Sequence, residues 1–442
     1  MQDKFPRTLI ISSCALTLGP AVIAGQYYRA LKNKGVEVDL LLKYPEDGRP
    51  DIISVYDKKP SRNFFYRIIA KVIRTIKNQN YPIGMPYRFF YKREDNPPVP
   101  SDKVIKKITK KYDLVCVLFW QEMLSFETIS KLYDKLHCQF QFLAVDYSVM
   151  SGGCHFIGEC QRFQTGCGAC PAINSNDEND FTSWNVKYRK HVYDRVNPII
   201  YGNPYMQELY KKSFLLKNLR FATSKGAIID TDLFQPLDQS LLNKKYNIPD
   251  EKTIKILVAC QDLEDKRKGI KYLIEALSLL WERLLEKRKE MVVLIAGKGY
   301  DKVKTMIPFD TIGLGYVPMN ELPEIYSMSS FYVCSSVDDA GPMMVGQSLC
   351  CATPVVGFDM GAVKLLVKNK QTGVCVPLRD SIALASGMES VINMPKEAYL
   401  KMSAHCREVA MQNCSFTAQA EMILETYYRY SANNNTENIR QC

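Results

Sequence analysis

The chain has 442 residues, 46% of them hydrophobic, 15 cysteines and a formal net charge of +11. That length exceeds what one compact core supports and favours two domains of roughly 200 residues each. No apolar run reaches the ~18 residues of a membrane span, and the N-terminus MQDKFPRTLIISSC has neither a charged region leading into a long apolar core nor a small-residue cleavage site, so a cytoplasmic protein is expected. The odd cysteine count in a long chain argues against a disulfide scaffold. Most cysteines sit singly inside apolar runs such as 114–119 and 255–260, as buried reduced thiols do.

In chain order, 7–14 reads as a buried first strand. The loop 15–20 leads into a helix with apolar Val22, Ile23, Tyr27, Ala30 and Leu31, and 36–42 is a second strand, a βαβ opening. A glycine loop between first strand and first helix is where doubly wound folds take ligand, and Gly19, followed by Pro20, is the residue available there.

From Lys58 to Lys111 there are 15 Lys and Arg against three acids, so this stretch carries +12 and the rest about −1. Within it, Lys58–Lys77 alternates cations (Arg62, Arg67, Lys71, Arg74) with Phe64, Phe65, Ile68, Ile69, Val72, Ile73 and Ile76 at helical spacing. The implied amphipathic helix suits an anionic membrane surface, each cation contributing roughly 1 kcal/mol there. A core-packed helix with a solvated cationic face is the alternative. No nucleic-acid-binding module accompanies the charge, so nucleic acid is not expected as a partner.

Strands over 114–119 and 140–145 open into loops carrying Trp120 and Gln121, and Asp146 and Tyr147. Such loops at the ends of parallel strands form the default ligand rim. Next, Cys154, Cys160, Cys167 and Cys170 fall within 17 residues, interleaved with glycine and proline. The CxxC at Cys167–Cys170 is half of a tetrahedral zinc site, so a structural zinc is expected; two disulfides, iron–sulfur ligation, or His155 in place of one cysteine remain open. Four protein ligands would close the coordination sphere, which excludes a catalytic role.

A helix follows over 181–193, a short strand over 198–201 and a helix over 203–213. The irregular stretch 221–236 reads as the crossing between domains. A second α/β unit has strands over 254–260, 291–296, 311–317 and 331–334 and a long helix over 270–285. In QDLEDKRKG, three consecutive cations abut the glycine that starts a helix, an arrangement a bound anion would explain. Ser335–Leu366, SSVDDAGPMMVGQSLCCATPVVGFDMGAVKLL, reads as strand end, acidic loop, short helix, turn, buried strand and glycine loop.

These residues carry a likeness. DKRKGIKYLIEAL (265–277), LIAGKG (294–299), LGYV and SSVDDAGPMMVGQSLCCATPVVGFDMGAVKLLV resemble the donor-binding domain of family 4 retaining glycosyltransferases with the GT-B fold. SGGCHF, the four cysteines and ACP are similar to the bacterial subset that makes colanic acid and other surface polysaccharides. The resemblance implies an α/β chain of two Rossmann-like doubly wound domains facing a central cleft. Residues 1–222 would bind acceptor, joined by a C-terminal helix over 416–431 that Ser415 caps. Residues 223–236 would cross between domains, 237–415 would bind the nucleotide-sugar donor, and 432–442 would be a flexible tail.

The resemblance also implies roles. Asp339 contacts the donor sugar hydroxyls, and Gln347 stands where the family has a second acid for the ribose. The run Gly341, Pro342 and Met343 places backbone N–H groups, those of Gly341 and Met343, against the sugar. Lys268 neutralises the donor diphosphate, with Arg267 or Lys266 substituting for the family's partner arginine. Asp146 joins Asp339 and Lys268 as the catalytic set, although the family's preceding histidine is Val145 here. Gly19 and Trp120 line the acceptor. No cofactor is needed for catalysis, because positioned cations and helix N-termini stabilise the departing diphosphate. The expected function is retaining transfer of a sugar from a nucleotide diphosphate to a polyprenyl-linked glycan at the inner membrane face. A non-catalytic nucleotide-sugar-binding scaffold is the alternative.

Overall fold

The computed structural model describes residues 5–13, 22–46, 48–59, 93–121 and 123–440, and side chains as far as residue 432. The chain divides into two compact units, one of residues 1–202, 206–223 and 420–442, the other of 203–205 and 224–419.

The first unit is built on a seven-stranded sheet: β1 (Thr8–Ser12), β2 (Val38–Leu42), β3 (Ile52–Ser54), β4 (Leu114–Val117), β5 (Gln139–Phe142), β6 (Ile199–Gly202) and β7 (Arg220–Thr223). Its order is β3-β2-β1-β4-β5-β6-β7 and every pair is parallel. TLIIS and LVCV are buried along their whole length, as strands covered on both faces must be. The helix Phe416–Arg440 serves this unit from Ala420 onward: its carbonyls at Met422 and Ile423 accept from Tyr201 Oη at 3.3 Å and Gln141 Nε2 at 3.4 Å. Helix geometry continues to Arg440, past the point where the sequence suggested a frayed tail.

The second unit repeats the pattern. Its strands are β8 (Ile254–Asp262), β9 (Met291–Lys298), β10 (Thr311–Gly315), β11 (Phe331–Cys334), β12 (Val355–Phe358) and β13 (Gly373–Val376), in the order β10-β9-β8-β11-β12-β13, all parallel. Alternation explains its two-sided core. Ile256, Val258, Val293 and Phe331 pack with Leu273, Leu277 and Leu384 on one face, while Leu257, Leu294 and Tyr332 pack with Tyr326, Val345 and Cys406 on the other. Each such side chain contributes roughly 1.5–3 kcal/mol by leaving water. Both sheets thus have the doubly wound order, with helices supplied by the intervening crossovers.

Two edge elements depart from the sequence reading. β3 carries no strong signal, and β7 occupies the start of the stretch read as irregular. Both are short edge strands whose residues are only partly buried, so neither shows a sustained apolar run. The expected basic helix over 58–77 lies, apart from its first two residues, outside the described residues. Among the described residues, no helix is long and apolar enough to cross a membrane.

Candidate functional site

In a doubly wound sheet, ligands bind beyond the carboxyl ends of the strands where the strand order reverses. In the second unit that point lies between β8 and β11, so the loops 263–269 and 335–342 form the rim. The two loops are joined by backbone and side-chain bonds. Val337 N donates to Arg267 O at 2.7 Å, and Ser335 Oγ donates to Lys268 O at 2.8 Å. The approach requires Gly269: its φ is +64°, and a Cβ there would stand 2.0 Å from Ser335 O.

Lys268 ends the turn Lys266–Lys268, and its ammonium meets the second carboxylate of the opposite loop. Nζ lies 2.5 Å from Asp339 Oδ2, both side chains being largely buried. Burial works to lower the Lys268 pKa, but the Asp339 charge and hydrogen bond outweigh it, and the net shift is upward. The other Asp339 oxygen accepts from Gly341 N at 3.2 Å. Asn203 Nδ2, from the short 203–205 piece of the same unit, donates to Ala340 O. Pro342 then caps the helix Met343–Cys350, whose first turn has no acidic residue. A cation, a carboxylate and a helix N-terminus therefore converge on one rim, an arrangement able to take a polyol and an anion side by side.

Two expected donor contacts are arranged differently. Arg267 is 6% exposed, and its guanidinium is paired with Asp265 Oδ2 at 2.5 Å. With Asp265 on Arg267 and Asp339 on Lys268, two of the three consecutive cations are paired with protein carboxylates, so a bound anion is not required to explain those two. Gln347 is 2% exposed, accepts from Tyr326 Oη at 3.2 Å and donates to Met319 Sδ at 3.5 Å. Its amide is held in the core beneath the helix rather than displayed on the rim.

In the first unit the strand order reverses between β1 and β4, and the expected site residues stand on the loops after β4 and its neighbour β5. Asp146 follows β5 and caps the turn Tyr147–Met150 by accepting from Ser148 N at 2.8 Å. Its second oxygen lies 2.6 Å from His155 Nδ1, and Gln121 Nε2 donates to Ser148 Oγ at 2.6 Å. The structure thus brings a histidine to Asp146 from nine residues downstream, although Val145 precedes it in sequence. Only its place in the loop after β5 could have suggested that pairing. Arg189 locks the same loop: its side chain is fully buried, paired with Glu94 at 2.6 Å and donating to Ser148 O at 2.7 Å and to Ser151 O. Trp120, read as lining the acceptor, is 3% exposed and packs edge-on against Phe126 and Phe142. Its ring is a core element, as burial of so large an apolar surface favours. Gly19 lies outside the described residues.

Among the described basic residues of 93–111, several face protein partners. Lys110 pairs with Asp39 at 2.8 Å, Lys107 with Asp57 at 3.2 Å, and Arg93 with Asp95 at 3.0 Å while covering the Trp184 ring. Every described cysteine is a free thiol. Cys154, Cys160, Cys167 and Cys170 line one small cavity. Among the described residues, no group of three or more His, Cys, Asp or Glu side chains is placed so that it could hold a metal ion as it stands.

Residues 238–410 match the family described as "Glycosyl transferases group 1". An uncharacterized glycosyltransferase of Haemophilus influenzae is 27% identical over 148 residues, 32% of this chain and 40% of that protein. The chain spans less than half the length of the curated relatives it matches. Sucrose-phosphate synthase of Thermosynechococcus elongatus superposes with a TM-score of 0.61 at 16% identity, covering 96% of this chain and 99% of that one. Anabaena HepE in complex with UDP and glucose gives 0.57 at 14% identity, covering 95% and 99%. These likenesses are of fold: two Rossmann-like domains of the GT-B class.

Proposed function

We propose that the chain is a glycosyltransferase that moves a sugar from a nucleotide diphosphate to a glycan acceptor with retention of anomeric configuration. The observation that carries this is the Lys268–Asp339 pair at the strand-order reversal of the second unit, inside the span that matches the group 1 family. When a donor binds, its diphosphate competes with Asp339 for the Lys268 ammonium. The released carboxylate then accepts from sugar hydroxyls. The cation and the N-terminus of the helix Met343–Cys350 stabilise the charge that develops on the leaving phosphate. That the structural neighbour HepE is seen with UDP and glucose supports a uridine or related diphosphate donor.

The finer reading is of family 4 and its surface-polysaccharide subset, with a polyprenyl-linked acceptor reached at the inner face of an anionic membrane through Lys58–Lys111. It rests on the SGGCHF and cysteine motifs and on the local charge of +12. Asp146, oriented by Ser148 and His155, is the first unit's polar group for this reaction.

A non-catalytic nucleotide-sugar-binding scaffold is the second reading, favoured by the inward-facing Gln347. Incubation with UDP- and GDP-linked sugars, followed for donor hydrolysis and transfer, tests both. Turnover lost in Lys268→Ala supports the transferase. Nucleotide binding with no turnover, and cellular polysaccharide unchanged by Lys268→Ala and Asp339→Ala, supports the scaffold.

A further inference from the structure

Between Met150 and Phe181 the chain runs for 30 residues with no helix or strand beyond two short 3₁₀ turns, Arg162–Gln164 and Pro171–Ile173. So long a connection inside a compact unit needs something to hold it. Its buried apolar side chains are few for its length: Ile157, Phe163, Cys170, Ala172 and Ile173, the last three forming a cluster against which Cys154 and Phe181 pack. Burial of that size does not offset the conformational entropy of ordering the segment, at roughly 1–2 kcal/mol per residue.

The segment is nevertheless held in detail. Residues 166–169 all have positive φ, at 110°, 59°, 88° and 39°, and two of them, Cys167 and Ala169, are not glycine. Left-handed backbone at such residues costs of order 1 kcal/mol each and persists where the surroundings impose it. Gly168 is required here, since a Cβ would stand 2.1 Å from Glu178 O. Asp180, which caps the helix Phe181–Val196, also accepts from Cys170 N at 2.9 Å, and Thr182 Oγ1 accepts from Gly168 N at 3.1 Å. The turn between the two cysteines of the CxxC is thereby clamped onto a helix N-terminus.

The four sulfurs share a cavity of about 20 Å³, room for one water-sized body. Backbone N–H groups reach three of them: Arg162 at Cys160, Gly152 at Cys167 and Ala172 at Cys170. Such donors stabilise a thiolate ligand more than a neutral thiol. His155, the alternative fourth donor, has its Nδ1 on Asp146.

We propose that Cys154, Cys160, Cys167 and Cys170 bind one structural zinc ion that staples the 151–180 loop to the helix Phe181–Val196. Zinc displaces four thiol protons to solvent and draws the four sulfurs to about 2.3 Å from itself, forming a closed tetrahedral sphere without a position for substrate. The closure is a contraction of the ring of sulfurs around the cavity. Its consequence is mechanical: the loop that begins at Asp146 is held from its far end. The proposal does not rest on the glycosyltransferase reading.

The test uses the full chain purified under reductant without chelator, with metals measured by mass spectrometry and then cobalt substituted after chelation. The expected result is about one equivalent of zinc per chain, strong d–d absorption of a tetrahedral cobalt thiolate, and zinc content reduced at least about fivefold in Cys167→Ser/Cys170→Ser. The cobalt spectrum of the unsubstituted chain decides the matter even if the double variant does not fold. Absence of both zinc and a cobalt thiolate spectrum, iron with acid-labile sulfide in place of zinc, or disulfides among the four cysteines under these reducing conditions would each overturn it.

Discussion

Lys268 and Asp339, 71 residues apart in sequence, meet at 2.5 Å where the strand order of the second sheet reverses. Each is held by its own loop: Gly269 sets the close approach of the first, and Gly341 N anchors the carboxylate of the second. Neither residue is replaceable by charge alone, because the partner would be left largely buried beside an uncompensated group.

Removing the ammonium should therefore reach the chemistry as well as local stability. Lys268→Ala is expected to lower kcat for sugar transfer by about 10²–10³, the range for loss of one preorganised charge at a developing anion. Steady-state kinetics with the active donor, alongside circular dichroism, checks this. A variant with unchanged kcat would place the leaving group elsewhere.

The pH dependence follows from the direction of the Lys268 shift. Burial lowers its pKa and Asp339 more than reverses that, so the folded value lies above the ordinary one. A lysine raised in this way contributes stability that is fully present below its unfolded pKa of about 10.4 and is lost as pH rises through the folded value. No alkaline loss of stability or donor affinity attributable to Lys268 is expected below about pH 10. In Asp339→Asn, burial acts unopposed, and the alkaline limit should move down toward neutrality. Thermal melts and nucleotide affinity measured from pH 7 to about 10.5 compare the two proteins. An alkaline limit that does not move in Asp339→Asn would contradict the coupling.

Arg189→Ala is expected to destabilise the first unit by about 3–5 kcal/mol, since it strands Glu94 and frees the carbonyls of Ser148 and Ser151. Denaturant unfolding measures the loss, and the double variant Arg189→Met/Glu94→Leu should recover part of it. A single variant within about 1 kcal/mol of the parent would show that the pair is dispensable.

Gln347→Glu distinguishes a core role from a ribose contact. Because the amide accepts from Tyr326 and is almost fully buried, the carboxylate should lower Tm without tightening nucleotide binding. Calorimetry of nucleotide binding alongside a thermal melt separates the two, and tighter binding in the variant would put this side chain on the ribose.

What could be read without coordinates was what local patterning encodes. β4 and β11 are continuous apolar runs, and β8 and β9 contain one over 256–260 and 291–296, because both faces of each sheet are covered. The placement of Lys268 and Asp339 on the two rim loops follows from their positions just after such runs, but their pairing does not. β3 and β7 escaped notice because short edge strands need no unbroken apolar run. Trp120 and Gln347 lie in the core for one reason: a residue just beyond a strand or inside a short helix can face rim or core, and the choice is made by neighbours in space, Phe126 and Phe142 for one and Tyr326 for the other. The His155–Asp146 pair was hidden in the same way, across an irregular loop.

In the proposed function, the Lys268–Asp339 rim receives the diphosphate of a nucleotide sugar. Isothermal titration of UDP and GDP into the full chain and into Lys268→Ala tests it most directly. The account predicts that at least one of the two nucleotides binds the parent, and that its affinity falls by tenfold or more in the variant, about 1.4 kcal/mol. Equal affinity in the two proteins, or no binding of either nucleotide to the parent, would contradict it.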